Sequence, residues 1–245
     1  MRDTKADPEY ATAVEESIQR LQSSILFEDS RFLIINKPSG MAVHGGSGVS
    51  YGVIEGLRAL RPDAPYLELA HRLDRDTSGC LVIAKRRSAL RAFHKLQQDG
   101  QVTKCYISLL KGGWQGGKRK IIEPLLKAEL QSGERVVRVD PAGKQAISLF
   151  TPIQKFRQAT LMRVKLITGR THQIRVHALH TGHPIAGDAK YGDASFNRDM
   201  AAMGLDRLYL HAESICFMLP GVNTYDIQAP LDSNLETPLT TLDKV

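Results

Sequence analysis

The chain has 245 residues, 42% of them hydrophobic and 24% charged, with a net charge of +7. That composition supports one generous core, or a core with a small appendage, and excludes the fibrous and disordered classes. The longest apolar runs, Phe32 to Ile35 and Cys80 to Ala84, fall far short of the ~20 residues a spanning helix needs, so no membrane is expected.

The charge is unevenly spread. The first 20 residues hold three basic side chains (Arg2, Lys5, Arg20) against five acidic ones (Asp3, Asp7, Glu9, Glu15, Glu16), so the rest carries +9. A body this basic attracts polyanions, because neutralised phosphates release their counterions. The N-terminus has no apolar h-region, so no secretory signal is read. The three cysteines, Cys80, Cys105 and Cys216, are widely spaced with no CxxC. They fit reduced core thiols in a cytoplasmic protein.

In chain order, residues 1–24 are polar and weakly helical from Ala11 to Leu21, which predicts a linker or N-terminal arm. Ile25 to Asn36 predicts two short strands around an Asp-Ser turn. KPSGMAVHGGSG, from Lys37 to Gly48, must be loop. Gly52 to Leu60 predicts an amphipathic helix stopped by Arg61-Pro62. A strand follows over Leu81 to Ala84, then a helix over Ser88 to Asp99, with Ser88 as cap and Gly100 as stop. Strands are predicted over Val102 to Leu110, Val136 to Val139, Ala146 to Phe150, Ala159 to Ile167 and Leu208 to Phe217. Thr171 to Thr181 predicts a helix, capped by Thr171 and stopped by Gly182. Strands outnumber helices without regular alternation. The expected class is α+β, with a mixed, largely antiparallel sheet and flanking helices and loops.

The densest reactive cluster is HRLDRDTSG, from His71 to Gly79. Asp74 lies between Arg72 and Arg75, and adjacent cations and hydrogen-bond donors favour an ionised carboxylate, as a nucleophile requires. The same residues also fit a plain polar turn. Asp74-x-Asp76-x-Ser78-Gly79 imitates the opening of a calcium loop, but Lys85 stands where that loop needs a bidentate Glu. A second cluster is GRTHQIRVH, from Gly169 to His177. Arg170 falls at a helix N-terminus, where an anion is favoured. His172, His177, His180 and His183 lack zinc-site spacing and a partner cysteine, so no metal is expected. A third is Lys104-Cys105-Tyr106 in a strand, where a tyrosine is ordinarily packing.

Together with NKPSG at 36–40 and KCY at 104–106, HRLDRDTSG and GRTHQIRVH resemble the RluA/RluC-type pseudouridine synthases, in that family's order and at compatible spacing. The segments VHGGSGVSYGVIEGLRALRP and LLKAELQSGERVVRV look closest to the RluC branch, which modifies large-subunit ribosomal RNA. The resemblance implies isomerisation of chosen uridines on ribosomal RNA, without metal or organic cofactor or an obligate protein partner, by a monomer. It implies Asp74 as catalytic aspartate, Tyr106 as the tyrosine stacking on the target base, and Arg170 as the arginine that pairs with the aspartate. Arg72 looks like the arginine that enters the RNA stack. His71, Arg75, Thr171, His172, Gln173 and Arg175 complete the expected RNA-binding set. Asp74 attacks ribose C1′ or uracil C6, or assists deprotonation at C2′; the sequence leaves these routes open. A non-catalytic RNA-binding factor would need the charge but not the Asp–Arg–Tyr set. Residues 25–245 are expected to be the catalytic domain. The segment before it resembles the linker that follows the family's S4-like RNA-binding domain, so no S4 domain is expected here.

Overall fold

The computed structural model describes residues 8–45, 52–129, 133–221 and 224–245. Part of the loop expected over Lys37 to Gly48 therefore lies outside the described residues. The chain divides into two compact units, one of Met1–Gln101 with Phe217–Ala229 and one of Val102–Cys216 with Pro230–Val245. In chain order the first contains α1 (Pro8–Ser23), β1 (Ile25–Glu28), β2 (Phe32–Lys37), α2 (Val53–Leu60), β3 (Glu68–Leu69), β4 (Ser78–Ala84) and α3 (Arg87–Gln98). The second continues with β5 (Thr103–Lys111), β6 (Arg119–Ile122), β7 (Leu125–Glu129), β8 (Arg135–Val139), β9 (Ile147–Lys155), β10 (Ala159–Leu166), α4 (Gln173–His180), α5 (Ala194–Ala202) and β11 (Leu210–Met218). β12 (Thr224–Gln228) belongs to the first unit and α6 (Ser233–Thr241) to the second. Twelve strands against six helices among the described residues give the α+β class that the sequence pattern predicts. No helix among them is long and apolar enough to cross a membrane.

In the first unit β2 pairs antiparallel with β1 and β4, and β3 pairs with β4. Every residue of β4 is buried, which is why its sequence reads as a continuous apolar run rather than an alternation. The core is aromatic. Phe32 packs edge-on against Phe93, Phe217 and Tyr225, with ring centroids 5.2–6.2 Å apart. α3 buries Ala89, Phe93 and Leu96. The expected cap at Ser88 is displaced: Arg86 is the N-cap residue and makes no side-chain cap bond, so Ser88 already lies inside the helix. The stop at Gly100 holds for a physical reason. With φ at 72°, it lets Gln101 N–H reach Leu96 O and Gly100 N–H reach Gln97 O, the Schellman pattern.

The second unit is built on the antiparallel order β11-β5-β10-β9-β6. β7 and β8 form a separate hairpin, with Leu125 opposite Val139 and Lys127 opposite Val137. Leu125, Val137 and Val139 pack with Ala146, Val176 of α4 and Tyr191, so the hairpin shares a small apolar core with that helix. α4 also departs from its expected start. Its N-cap is His172, at φ 53°, rather than Thr171. Its end follows the sequence, with Gly182 N–H on Leu179 O and His183 N–H on Ala178 O.

Candidate functional site

Asp74 lies in the loop that leads into β4. It is half-buried, between an exposed Arg72 and an exposed Arg75, while Leu73, Thr77 and Ser78 are buried and anchor the loop on both sides. Thr77 N–H donates to Asp74 O at 3.2 Å, closing a turn around the motif. Arg75 Nε donates to Asp76 Oδ1 at 3.3 Å, so the described partner of this flanking cation is Asp76.

What holds this loop comes from NKPSG. Lys37 is fully buried, and its ammonium donates to Pro38 O and Met41 O, both at 2.8 Å, and to Arg75 O at 2.9 Å. An ammonium has three protons, and here each meets a carbonyl. Gly40 N–H donates to the same Arg75 O at 3.0 Å, and Ser39 Oγ donates to Asp76 O at 2.7 Å. Gly40 adopts φ 82°, in the region where a side chain is disfavoured. The two residues after Asp74 are therefore pinned through their backbone oxygens, a placement that leaves the side chains to other work. His71 is turned inward. Its Nε2 accepts from Val82 N–H at 3.2 Å and its ring stacks on Phe93.

In the second unit Tyr106 lies on β5, buried, opposite Val164 of β10. Lys104, two residues earlier and so on the same face, has its ammonium pushed down to about 8 by burial. Arg170 is exposed, but its backbone is clamped. Its N–H donates to Gln173 Oε1 at 2.9 Å, its carbonyl accepts from Gln173 N–H at 3.2 Å, and its Nε donates to Gln145 O at 3.1 Å. Gln173 is buried and uses every polar atom of its amide. Its oxygen also accepts from Thr168 Oγ1, and its nitrogen donates to Ile147 O and Ser148 Oγ. Behind it, His177 shares Ser148 Oγ at 3.0 Å and bonds Glu123 O at 3.1 Å. Burial holds the His177 pKa below its ordinary value.

Arg175 is also interior. It pairs bidentately with Asp188, Nε to Oδ2 at 2.7 Å and Nη2 to Oδ1 at 2.8 Å. Burial alone would raise the Asp188 carboxyl. The Arg175 guanidinium and the N–H groups of Tyr191 and Lys190 outweigh it and hold that carboxyl below its usual range. Of the expected RNA-binding residues, Arg72, Arg75 and Thr171 are exposed and His172 is half-buried. Gln173 and Arg175 are buried, and their side chains bond to groups within the protein.

Sequence reasoning missed Lys37, Asp188 and Tyr191. The available signal was Gly187-Asp188-x-x-Tyr191-Gly192. A Cβ on Gly187 would collide with Arg207 O, and one on Gly192 with Asp188 O, so both positions exclude a side chain.

A family model described as RNA pseudouridylate synthase matches residues 31–180. The chain is 53% identical over 220 residues to a Pasteurella multocida protein named ribosomal large subunit pseudouridine synthase C, covering 89% of this chain and 68% of that one. A Yersinia pestis protein of the same name is 50% identical over 245 residues, covering 100% of this chain and 77% of its own. Among solved structures, human RNA pseudouridylate synthase domain containing 4 superposes with a TM-score of 0.77 at 23% identity, over 95% of this chain and 98% of that one. That likeness is one of fold.

Proposed function

Because this chain belongs to the RNA pseudouridylate synthase family and is of its RluC type, we propose that it converts chosen uridines of large-subunit ribosomal RNA to pseudouridine, with Asp74 as nucleophile. The N1–C1′ bond breaks, the uracil turns, and C5 joins C1′; the C5 proton leaves and N1 gains one. These atoms are out of reach in a stacked helix, so the nucleotide is flipped out first. Tyr106 and Arg170 take the aromatic and cationic roles that the family resemblance implies. Arg72, Arg75, Thr171 and His172 offer the surface for RNA, with His71, Gln173 and Arg175 acting behind them. No cofactor is needed, since the freed uracil is reused in place. We read the protein as a monomer, and as cytoplasmic because its three cysteines, none of them in a disulfide, fit a reducing compartment.

One observation carries the assignment of Asp74: the pinning of the next two residues by Lys37, Ser39 and Gly40. A nucleophile needs a fixed origin, and this loop is fixed from behind, through its backbone. The test is site-resolved pseudouridine mapping of large-subunit ribosomal RNA after incubation with the protein. New pseudouridine at a small set of positions is expected. Loss of uracil without its return as a C-glycoside would identify a hydrolase instead.

A further inference from the structure

His172 is the only non-glycine residue with positive φ among the described residues, at 53°. That region disfavours a side chain bearing Cβ, so a tether is needed to hold it there. The tether is Tyr191. Its hydroxyl lies 2.8 Å from His172 Nδ1 and 2.9 Å from the amide nitrogen of Val137 in β8. The amide can only donate, so the Tyr191 oxygen accepts from Val137. The phenol oxygen has room for a second donor, so the bond to His172 runs either from the phenolic hydrogen to Nδ1 or from Nδ1–H to the oxygen; the proposal below takes the first direction. A neutral imidazole with Nδ1 as acceptor carries its proton on Nε2. Burial raises the Tyr191 pKa above the ordinary phenol value, which keeps that hydrogen in place.

Tyr191 is itself fixed. Its N–H donates to Asp188 Oδ1 at 2.9 Å, and the Arg175 guanidinium lies 4.9 Å from its ring centroid. Its neighbour Lys190 bonds Arg135 O and pairs with Glu134. These are the charged groups around the hydroxyl on α4, on the loop and on the hairpin. We propose that Tyr191 is a positioning residue of the synthase reaction: by fixing His172 as the Nε2–H tautomer in left-handed backbone, its hydroxyl holds Arg170, two residues earlier, in working register. The proposal rests on the synthase reading above. Sequence spacing could not suggest it, because 19 residues separate the two partners.

Tyr191→Phe keeps the ring and removes both bonds. Two measurements decide the matter. The first is imidazole ¹⁵N spectra of the free protein, well above the histidine titration range. Wild type should show His172 Nδ1 unprotonated and Nε2 protonated, and Tyr191→Phe should show a mixture. A wild-type Nδ1–H, or a single tautomer kept in the variant, overturns the proposal. The second is turnover on ribosomal RNA. Tyr191→Phe should lower kcat on the order of tenfold with KM changed less than about twofold. In a His172→Asn background, where the residue tolerates left-handed backbone but lacks the ring, adding Tyr191→Phe should cost less than about twofold more. A full second loss there would show that Tyr191 does not act through His172. A variant that fails to fold still leaves the wild-type tautomer as a decisive result. Absence of any pseudouridine with wild type would end the synthase reading and the positioning role together, while the spectra would still judge the hydrogen bond.

Discussion

The loop carrying Asp74 and the segment carrying Arg170 solve the same problem by different chemistry. Each sets a charged side chain on a backbone fixed from behind. Around Asp74 the fixing is one buried cation on three neutral carbonyls. Around Arg170 it is a side-chain network of Gln173, Ser148 and His177, backed by the buried Arg175–Asp188 ion pair. The carbonyls that hold Lys37 do not titrate. An ion pair depends on its carboxylate, so the second device should weaken in acid more than the first.

The largest effect should come from breaking that ion pair. Asp188→Ala strands a buried guanidinium and should cost about 3–5 kcal/mol, read from urea unfolding. Loss of less than about 1 kcal/mol would show that Arg175 finds water instead. Lys37→Met comes next. It leaves three carbonyls without their ammonium and should cost about 3 kcal/mol, with activity falling along with order in the Asp74 loop. The pH prediction follows from the sign of the Asp188 shift. Its folded pKa lies below the unfolded one, so the stabilisation is present above the unfolded value and lost as pH falls through the folded one. Acid titration should destabilise wild type more than Asp188→Asn over that window, and parallel curves would remove Asp188 as the cause. The smallest effect belongs to Arg75. Its pair with Asp76 is largely exposed, so Arg75→Ala should change stability by less than about 0.5 kcal/mol. A measurable loss of RNA affinity at unchanged stability would place Arg75 on the binding surface.

The same contrast marks what the sequence could reveal. The ends of α3 and α4 were legible because Gly100 and Gly182 complete caps formed within six residues. The starts were not, because Arg86 and His172 cap through backbone geometry without the side-chain oxygen that a sequence reading looks for. The short strands β3, β6, β7 and β12 went unseen; each has two to five residues, too few to show a period. α5 and α6 were also missed, although Asp193 and Asp232 cap them in the expected manner. Asp74, Tyr106 and Arg170 stood out as motif residues, whereas the residues that hold their backbone did not. Lys37 reads as a loop lysine until its carbonyl partner 38 residues away is known. Arg175 reads as an RNA-binding residue until Asp188, 13 residues on, is seen to accept from its Nε and Nη2.

The central claim is that the Asp74 carboxylate is the nucleophile, and tritium release from RNA labelled at uridine C5 tests it most directly. Every isomerisation frees the C5 hydrogen, so release counts turnovers. Asp74→Asn keeps the size of the side chain and the backbone bonds that pin its loop, but it removes the ionisable oxygen. The account predicts a folded variant with wild-type unfolding behaviour and release at least about a thousandfold slower than wild type. Release within about tenfold of wild type would contradict the assignment and move the chemistry to another residue.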